Sequence, residues 1–417
     1  MKILLVYPQP DDKSKQPRYG FSYDMLEIAT VLKNYHEVII KDYSCEEYNS
    51  DWLLKKIEKK ELDLLIVECD SFALKRSQNI EHAKNIIDLV SGNISIIAYG
   101  NYCCITKRNF YKADYTVKCN DINALIATIN IFSEVKIPNI LNFDAIPHID
   151  RTILLSIDYY NKNRYSTLLI TSKGCENTCI FCQRKGWQDH YIAHSNSYVL
   201  NELNELKMQD YKNIWITDEN FSFNLLRAKK LLKEILESSL IERMNLFISS
   251  WANIDEEFLE LAKNCNIRII SFGIESGNQD ILKFYRKNIN LTRVPQIIQY
   301  ANKIGIFTVG NFILGAPMET KETIQQTFSL IQECQFDQIN IKTLDYMLGS
   351  ELYENLDDNI KSGKDHIFAC AENGLTTLPL KYLVEQKKLF KAAYYSLHKE
   401  TLKQKIEKFG TPYFKEF

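Results

Sequence analysis

The stretch Thr167-Leu168-Leu169-Ile170-Thr171-Ser172-Lys173-Gly174-Cys175-Glu176-Asn177-Thr178-Cys179-Ile180-Phe181-Cys182 puts three cysteines beyond an apolar, strand-like run and a turn glycine. The spacing is C-x3-C-x2-C, with no fourth cysteine nearby. Thiolates hold iron–sulfur clusters, usually four to a [4Fe–4S] cube. Cys175, Cys179 and Cys182 would leave one iron open, and an open metal position is what chemistry needs. Thiolates at the end of a strand sit at the rim of a sheet or barrel, where sites are usually built.

The 417-residue chain has room for two or three domains. It is 45% hydrophobic and 25% charged, with a formal net charge of −2. That balance argues against a broad nucleic-acid-binding surface. The start, Met1-Lys2-Ile3-Leu4-Leu5-Val6-Tyr7-Pro8, is too short in aliphatics for a signal-peptide core and reads as a first strand. No run approaches the ~18 apolar residues of a membrane helix. A cytoplasmic protein is expected, with no membrane and no nucleic-acid partner. Eleven cysteines in a reducing compartment favour metal or redox roles over disulfides. The other eight, Cys45, Cys69, Cys103, Cys104, Cys119, Cys265, Cys334 and Cys370, read as small buried hydrophobes. Cys334 and Cys370 are weak candidates for a hydrogen-donor thiol.

Residues 1–130 alternate strands and helices, beginning with Ile3–Val6 and the helical stripe Met25, Leu26, Ile28, Ala29, Val31 and Leu32. Such alternation implies an α/β domain on a doubly wound parallel sheet. Its strand ends carry Tyr7, Asp70, Ser71, Gly100 and Asn101, the positions where ligands bind in such sheets. Residues 131–165 read as a linker interrupted by Pro138 and Pro147. A second alternating series fills 166–345. Its strands are Thr167–Thr171, Ile214–Thr217, Leu246–Ser249, Ile267–Phe272, Phe307–Phe312 and Gln338–Lys342. Six β/α units imply a partial barrel. Residues 346–417 read as a mainly helical cap.

In a β/α barrel, function gathers at the C-terminal strand ends. After the cysteines come Asp218-Glu219-Asn220-Phe221, Ser249-Ser250-Trp251, Gly273-Ile274-Glu275-Ser276-Gly277, then Asn311 with Leu314-Gly315-Ala316-Pro317, and Thr343-Leu344-Asp345-Tyr346. Each has a plain alternative. Asp218 also suits a helix N-cap, Glu275 a solvated loop acid, the glycines turn geometry, and Trp251 packing. Their joint placement favours a site.

The cysteine run, with Phe181 before its last cysteine, resembles the signature of the radical S-adenosylmethionine (radical SAM) superfamily. Asp218-Glu219-Asn220-Phe221, Ser271–Gly277 and Gly310–Glu319 resemble the strand-two, strand-four and strand-five motifs of its cobalamin-type branch. The resemblance implies a Rossmann-like cobalamin-binding domain followed by a partial TIM-type (β/α)6 barrel. It implies a [4Fe–4S] cluster on the three cysteines, with the amino and carboxylate groups of SAM on the fourth iron. Reductive cleavage of SAM would give a 5′-deoxyadenosyl radical that takes a substrate hydrogen. By analogy Asp218, Glu219 and Asn220 lie near the SAM amino group, and Ser249 or Ser250 meets the carboxylate. Glu275 meets the ribose hydroxyls, Phe181 and Ile313 flank the adenine, and Asn311 and Gly315 lie close by. Relatives often place an arginine at the SAM carboxylate, where this chain offers serines.

The first domain departs from the family pattern. The D-x-H-x-x-G motif of histidine-ligated cobalamin is absent, and only His36 and His82 fall in this region. Many relatives have paired glycines where this chain has Tyr99-Gly100. Tyrosine does not take φ > 0 cheaply. Cobalamin retained, or lost with the fold persisting, both stay open. The resemblance then implies a cobalamin-dependent C-methyltransferase on a small molecule or peptide. The alternative is another radical outcome: dehydration, epimerisation, cyclisation or rearrangement. A reducing partner such as flavodoxin or ferredoxin would supply the electron. A non-enzymatic iron–sulfur sensor has little use for the SAM motifs. An RNA methylthiotransferase would need a second cysteine cluster, and Cys45, Cys69 and Cys103 lack the spacing.

Overall fold

The alternation of the first 130 residues is realised as five parallel strands: β1 (Lys2–Tyr7), β2 (Glu37–Asp42), β3 (Leu64–Glu68), β4 (Ser95–Tyr99) and β5 (Tyr115–Thr116). The computed structural model describes residues 1–11, 22–44, 46–70, 78–119, 121–153, 166–186 and 190–409. Cys45 and Ser71 lie outside the described residues. The sheet order is β2-β1-β3-β4-β5. This is a doubly wound order whose switch point lies at β1 and β3. The inner strands β1, β3 and β4 read as apolar runs and are almost wholly buried, as expected of a sheet covered on both faces. Leu64–Glu68 is buried throughout. One core cluster unites Leu4, Val6, Leu65 and Val67 with Ala83, Ile86, Ile87 and Val90 of the helix Ile80–Val90.

Contacts divide the chain into two compact units. One holds residues 1–169, 186–188 and 192–211, and the other holds 170–185, 189–191 and 212–417. Within the first, Arg151 sits in the stretch read as a linker. Arg151 is 1% exposed. It donates to Thr167 Oγ1 (2.8 Å), Ile149 O (3.1 Å) and Leu168 O (2.9 Å), and lies 3.6 Å from Glu202 Oε2. A buried guanidinium is tolerable only with such partners.

All six strands expected after residue 165 are present. They are β6 (Ser166–Leu169), then, beyond the short β7 (Ser172–Lys173) and β8 (Ile192–Ala193), β9 (Asn213–Ile216), β10 (Asn245–Trp251), β11 (Ile267–Glu275), β12 (Phe307–Leu314) and β13 (Gln338–Thr343). The sheet order is β13-β12-β11-β10-β9-β6, strictly sequential. The described pairings from β9 to β13 are parallel. A hairpin of β14 (Asp345–Met347) and β15 (His366–Phe368) follows. The C-terminal segment is dominated by the helix Leu380–Phe409. Its Tyr395 hydroxyl accepts from Ile339 N (2.9 Å) and donates to Ile339 O (3.3 Å), so it occupies the edge of β13. No helix among the described residues is long and apolar enough to cross a membrane.

Candidate active site

In a parallel sheet, registered partners project to the same face, and alternate residues share it. The register pairs Phe247 with Ile269, Ser249 with Ser271, and Trp251 with Gly273. It continues Ile269 to Phe307, Gly273 to Asn311, Asn311 to Asn340, and Ile313 to Lys342. One face therefore stacks in layers. Its lowest layer, with Phe247, Ile269, Phe307, Val309 and Trp215, packs against Tyr395 and Leu402 of the last helix. Above it the face opens: Ser249, Trp251, Ser271, Gly273, Asn311, Ile313 and Asn340 are all half-buried, while their neighbours along each strand are mostly buried. Parallel sheets normally bury both faces. An open patch at the C-terminal ends of these strands is the candidate site.

The middle of this face is a neutral polar belt. Asn311 Nδ2 donates to Ser271 Oγ (2.9 Å) and Phe272 O (2.9 Å), and Asn311 Oδ1 accepts from Asn340 Nδ2 (3.1 Å). Charge appears at the rim. Lys287 Nζ, 3% exposed along its side chain, donates to Glu275 Oε1 at 2.6 Å and stands 4.4 Å from the Trp251 ring centroid. Glu275 adopts φ +73 at a register shift between β11 and β12. That bulge turns its carboxylate back over Gly273. A Cβ at Gly273 would meet Glu275 Oε1 at 2.8 Å and Lys287 Nζ at 2.9 Å. The glycine is the floor that lets the ion pair lie across the sheet.

The cysteine loop occupies this same rim. Cys179 is buried, and Cys175 and Cys182 are half-buried. Burial pushes the Cys179 thiol up to about 12, opposed by the Lys287 ammonium. Burial raises Cys175 as well, opposed by Asn177 and by the Arg184 guanidinium. Burial makes the Cys175 and Cys179 thiolates costly, so to serve as ligands they would need the charge of the metal they hold. Among the described residues no three Cys, His, Asp or Glu side chains converge on a single ion. Ligands to separate corners of a cube need no such convergence. Ile180 N donates to Tyr285 O (3.4 Å) and Leu352 N donates to Ile180 O (3.0 Å), anchoring the middle of the loop.

The remaining candidates separate into two groups. Glu275, Ser249, Phe181 and Ile313 border the open face, and the last two join one apolar cluster with Tyr285 and Tyr346. The others are engaged within the protein. Asp218 accepts from Thr171 N (2.7 Å), Thr171 Oγ1 (2.6 Å) and Ser172 Oγ (2.7 Å). Asn220 Oδ1 accepts from Trp251 N (3.2 Å). Ser250 is buried, bonded to Ser222 (2.6 Å) and to Trp251 O (2.7 Å), so Ser249 is the serine on the open face. Glu219 accepts from Gly174 N (2.8 Å) and pairs with Arg184 (3.3 Å). Gly315 has φ +107 beside Ala369 O. Asp345 caps its hairpin through His366 Nδ1 (3.0 Å) and Ile367 N (3.1 Å). Lys287 and Arg184 had no signal in the sequence. Cys334 is fully buried at the end of the helix entering β13, the end of the sheet opposite the cysteine loop. Cys119 is exposed rather than buried.

Glu319 lies beneath this rim at 1% exposure. Its Oε2 accepts from Gly315 N and Ala316 N, while Oε1 has no hydrogen-bond partner among the described residues. Burial raises the carboxyl to about 7, against the pull of those two N–H groups. The folded chain therefore binds a proton that the unfolded chain has lost between pH ~4.5 and 7, and stability falls as pH rises through that window. Glu319→Gln should flatten the slope, by roughly 1–3 kcal/mol between pH 5 and 8. Urea unfolding of both proteins at the two pH values checks this, and parallel slopes would refute it.

In the first unit, Gly100 has φ +127, and a Cβ there would meet Cys69 O at 2.5 Å. The fold itself requires this glycine. Tyr99 is the last residue of β4, and its carbonyl accepts from Cys69 N (2.6 Å), so no left-handed conformation is asked of it. Asp70 accepts from Asn101 N (3.3 Å), and burial raises its carboxyl to about 7. Tyr7 is buried alongside. His82 Nδ1 accepts from Gln9 N (2.6 Å) and its ring meets Tyr48 edge-on, while His36 is buried 3.5 Å from Ser133 Oγ. Both histidines are committed to packing.

Residues 169–331 match the family model for the radical SAM superfamily. An uncharacterized methyltransferase of Pyrococcus horikoshii is 25% identical over 85% of this chain and 83% of its own length. The cytidylyl-2-hydroxyethylphosphonate methyltransferase of Streptomyces wedmorensis is 30% identical, over 44% of this chain and only 36% of the relative. In fold the chain is similar to the radical SAM methyltransferase TsrM of Kitasatospora setae, solved with cobalamin and a [4Fe–4S] cluster. The TM-score is 0.72 at 15% identity, covering 86% of this chain and 75% of TsrM.

Proposed function

We propose that this chain, a member of the radical SAM superfamily, is a cobalamin-dependent methyltransferase that methylates a carbon of a small molecule or peptide. The observation that carries this reading is the cysteine loop set beside the Glu275–Lys287 pair at the open end of the sheet. When bound, the [4Fe–4S] cluster and SAM supply the one-electron cleavage that yields a 5′-deoxyadenosyl radical. Cys175, Cys179 and Cys182 hold the cluster. Lys287 supplies the cation for the SAM carboxylate, the role that arginine plays in relatives, and Ser249 donates beside it. Glu275 would offer its second oxygen to the ribose hydroxyls, and Phe181 and Ile313, in one apolar cluster, would flank the adenine. The belt of Ser271, Asn311 and Asn340 carries no charge, which suits a neutral, hydrogen-bonding substrate better than a phosphate backbone.

Cobalamin in the first unit is supported by the strand order and by the likeness to TsrM. The two packed histidines favour a corrinoid held without a histidine on cobalt. Anaerobic purification with hydroxocobalamin, followed by corrinoid extraction, tests it. We expect close to one corrinoid per chain. A chain that cleaves SAM but retains no corrinoid would remove the methyl-transfer reading and favour another radical outcome on the same core.

A further inference from the structure

The residue that the family analogy sends to the SAM amino group does something else here. Glu219 Oε2 accepts the Gly174 N–H at 2.8 Å, and Oε1 lies 3.3 Å from Arg184 Nε. Gly174 immediately precedes Cys175, and Arg184 follows Cys182 by two residues. A single carboxylate thus grips both ends of the ligand loop. The side chains of Arg184 and Glu219 are 16% and 21% exposed, so the pair is only lightly screened. Gly174 has φ +81, the turn that aims its N–H at the carboxylate. The neighbouring Asp218 holds Thr171 and Ser172. Adjacent acids therefore divide the work: one fixes the strand that leads in, the other closes the loop.

We infer that Glu219 and Arg184 form a positioning clasp. It preorganises the three thiolates and keeps one fixed positive charge beside the cluster. This rests on the reading of the cysteines as cluster ligands. Outer partners of metal ligands set both retention and reduction potential, the latter through local charge and hydrogen bonding. A guanidinium beside the cluster stabilises its reduced, more negative state and raises its potential. Glu219 opposes that charge while holding it in place.

The test uses the full chain, anaerobically reconstituted. Arg184→Gln, Arg184→Lys and Glu219→Gln are compared with wild type for iron per chain, for cluster half-life in EDTA, and for midpoint potential by EPR titration. Arg184→Gln and Glu219→Gln should each shorten the half-life by about 10-fold. Their potentials should move in opposite directions, negative for Arg184→Gln and positive for Glu219→Gln. Arg184→Lys should restore the potential. A purely mechanical brace would not produce opposite shifts. Wild-type half-life and potential in both neutral variants would overturn the clasp. So would a Glu219→Gln protein with a normal cluster whose EPR signal no longer responds to SAM, which would return Glu219 to the amino group. Should wild-type chain take up no iron, the cluster reading falls and the clasp with it.

Discussion

Cys179→Ala should leave the chain folded but unable to hold its cluster, and 5′-deoxyadenosine formation should fall by roughly 1,000-fold or more, because the cofactor carries the difficult step. The substitution removes a single sulfur, so although the site is buried the cavity left is small. Cys265→Ala provides the control. Its thiol is also buried, but it bonds to Leu232 O at 3.1 Å, in a helix–helix contact remote from the loop. Iron content and SAM cleavage should be near wild type there. A Cys179→Ala protein that retains a full cluster and cleaves SAM would overturn the site assignment.

Lys287→Met carries the second large effect. The substitution keeps the aliphatic stem over Trp251 but strands the Glu275 carboxylate, whose side chain is 10% exposed. Breaking a buried pair by removing one partner costs about 3–5 kcal/mol, far more than the pair's net worth. The double variant Lys287→Met/Glu275→Gln should recover most of that loss, since no buried charge remains. Urea unfolding followed by tryptophan fluorescence measures both, as Trp215 and Trp251 lie on this sheet. SAM binding should stay weak in both variants, because neither restores a cation. A single variant within about 1 kcal/mol of wild type, or a double variant no better than the single, would show that a stranded buried carboxylate is not what the substitution costs.

The strands were legible because each is short and rich in aliphatic and aromatic residues between turn residues, as in Leu64–Glu68 and Ile267–Phe272. The cysteine loop was legible because its three cysteines are close in sequence. The partners of its neighbours were not. Lys287 meets Glu275 only because a bulge turns the carboxylate back, and a bulge leaves no mark in hydrophobic periodicity. Arg184 meets Glu219 across a separation that no local pattern records. Tyr99 misled in the other direction. It stands where relatives have glycine, yet its backbone is ordinary strand, and the neighbouring Gly100 is demanded by the carbonyl of Cys69. Residue identity alone did not say which of the two carries the unusual conformation.

The Tyr395 hydroxyl that occupies Ile339 belongs to a residue made 56 positions later. During synthesis β13 therefore emerges with an uncovered edge, the kind of template that recruits other chains. The order of translation leaves that edge exposed until the last helix is made. Solubility of the nascent chain is thus entrusted to its last helix.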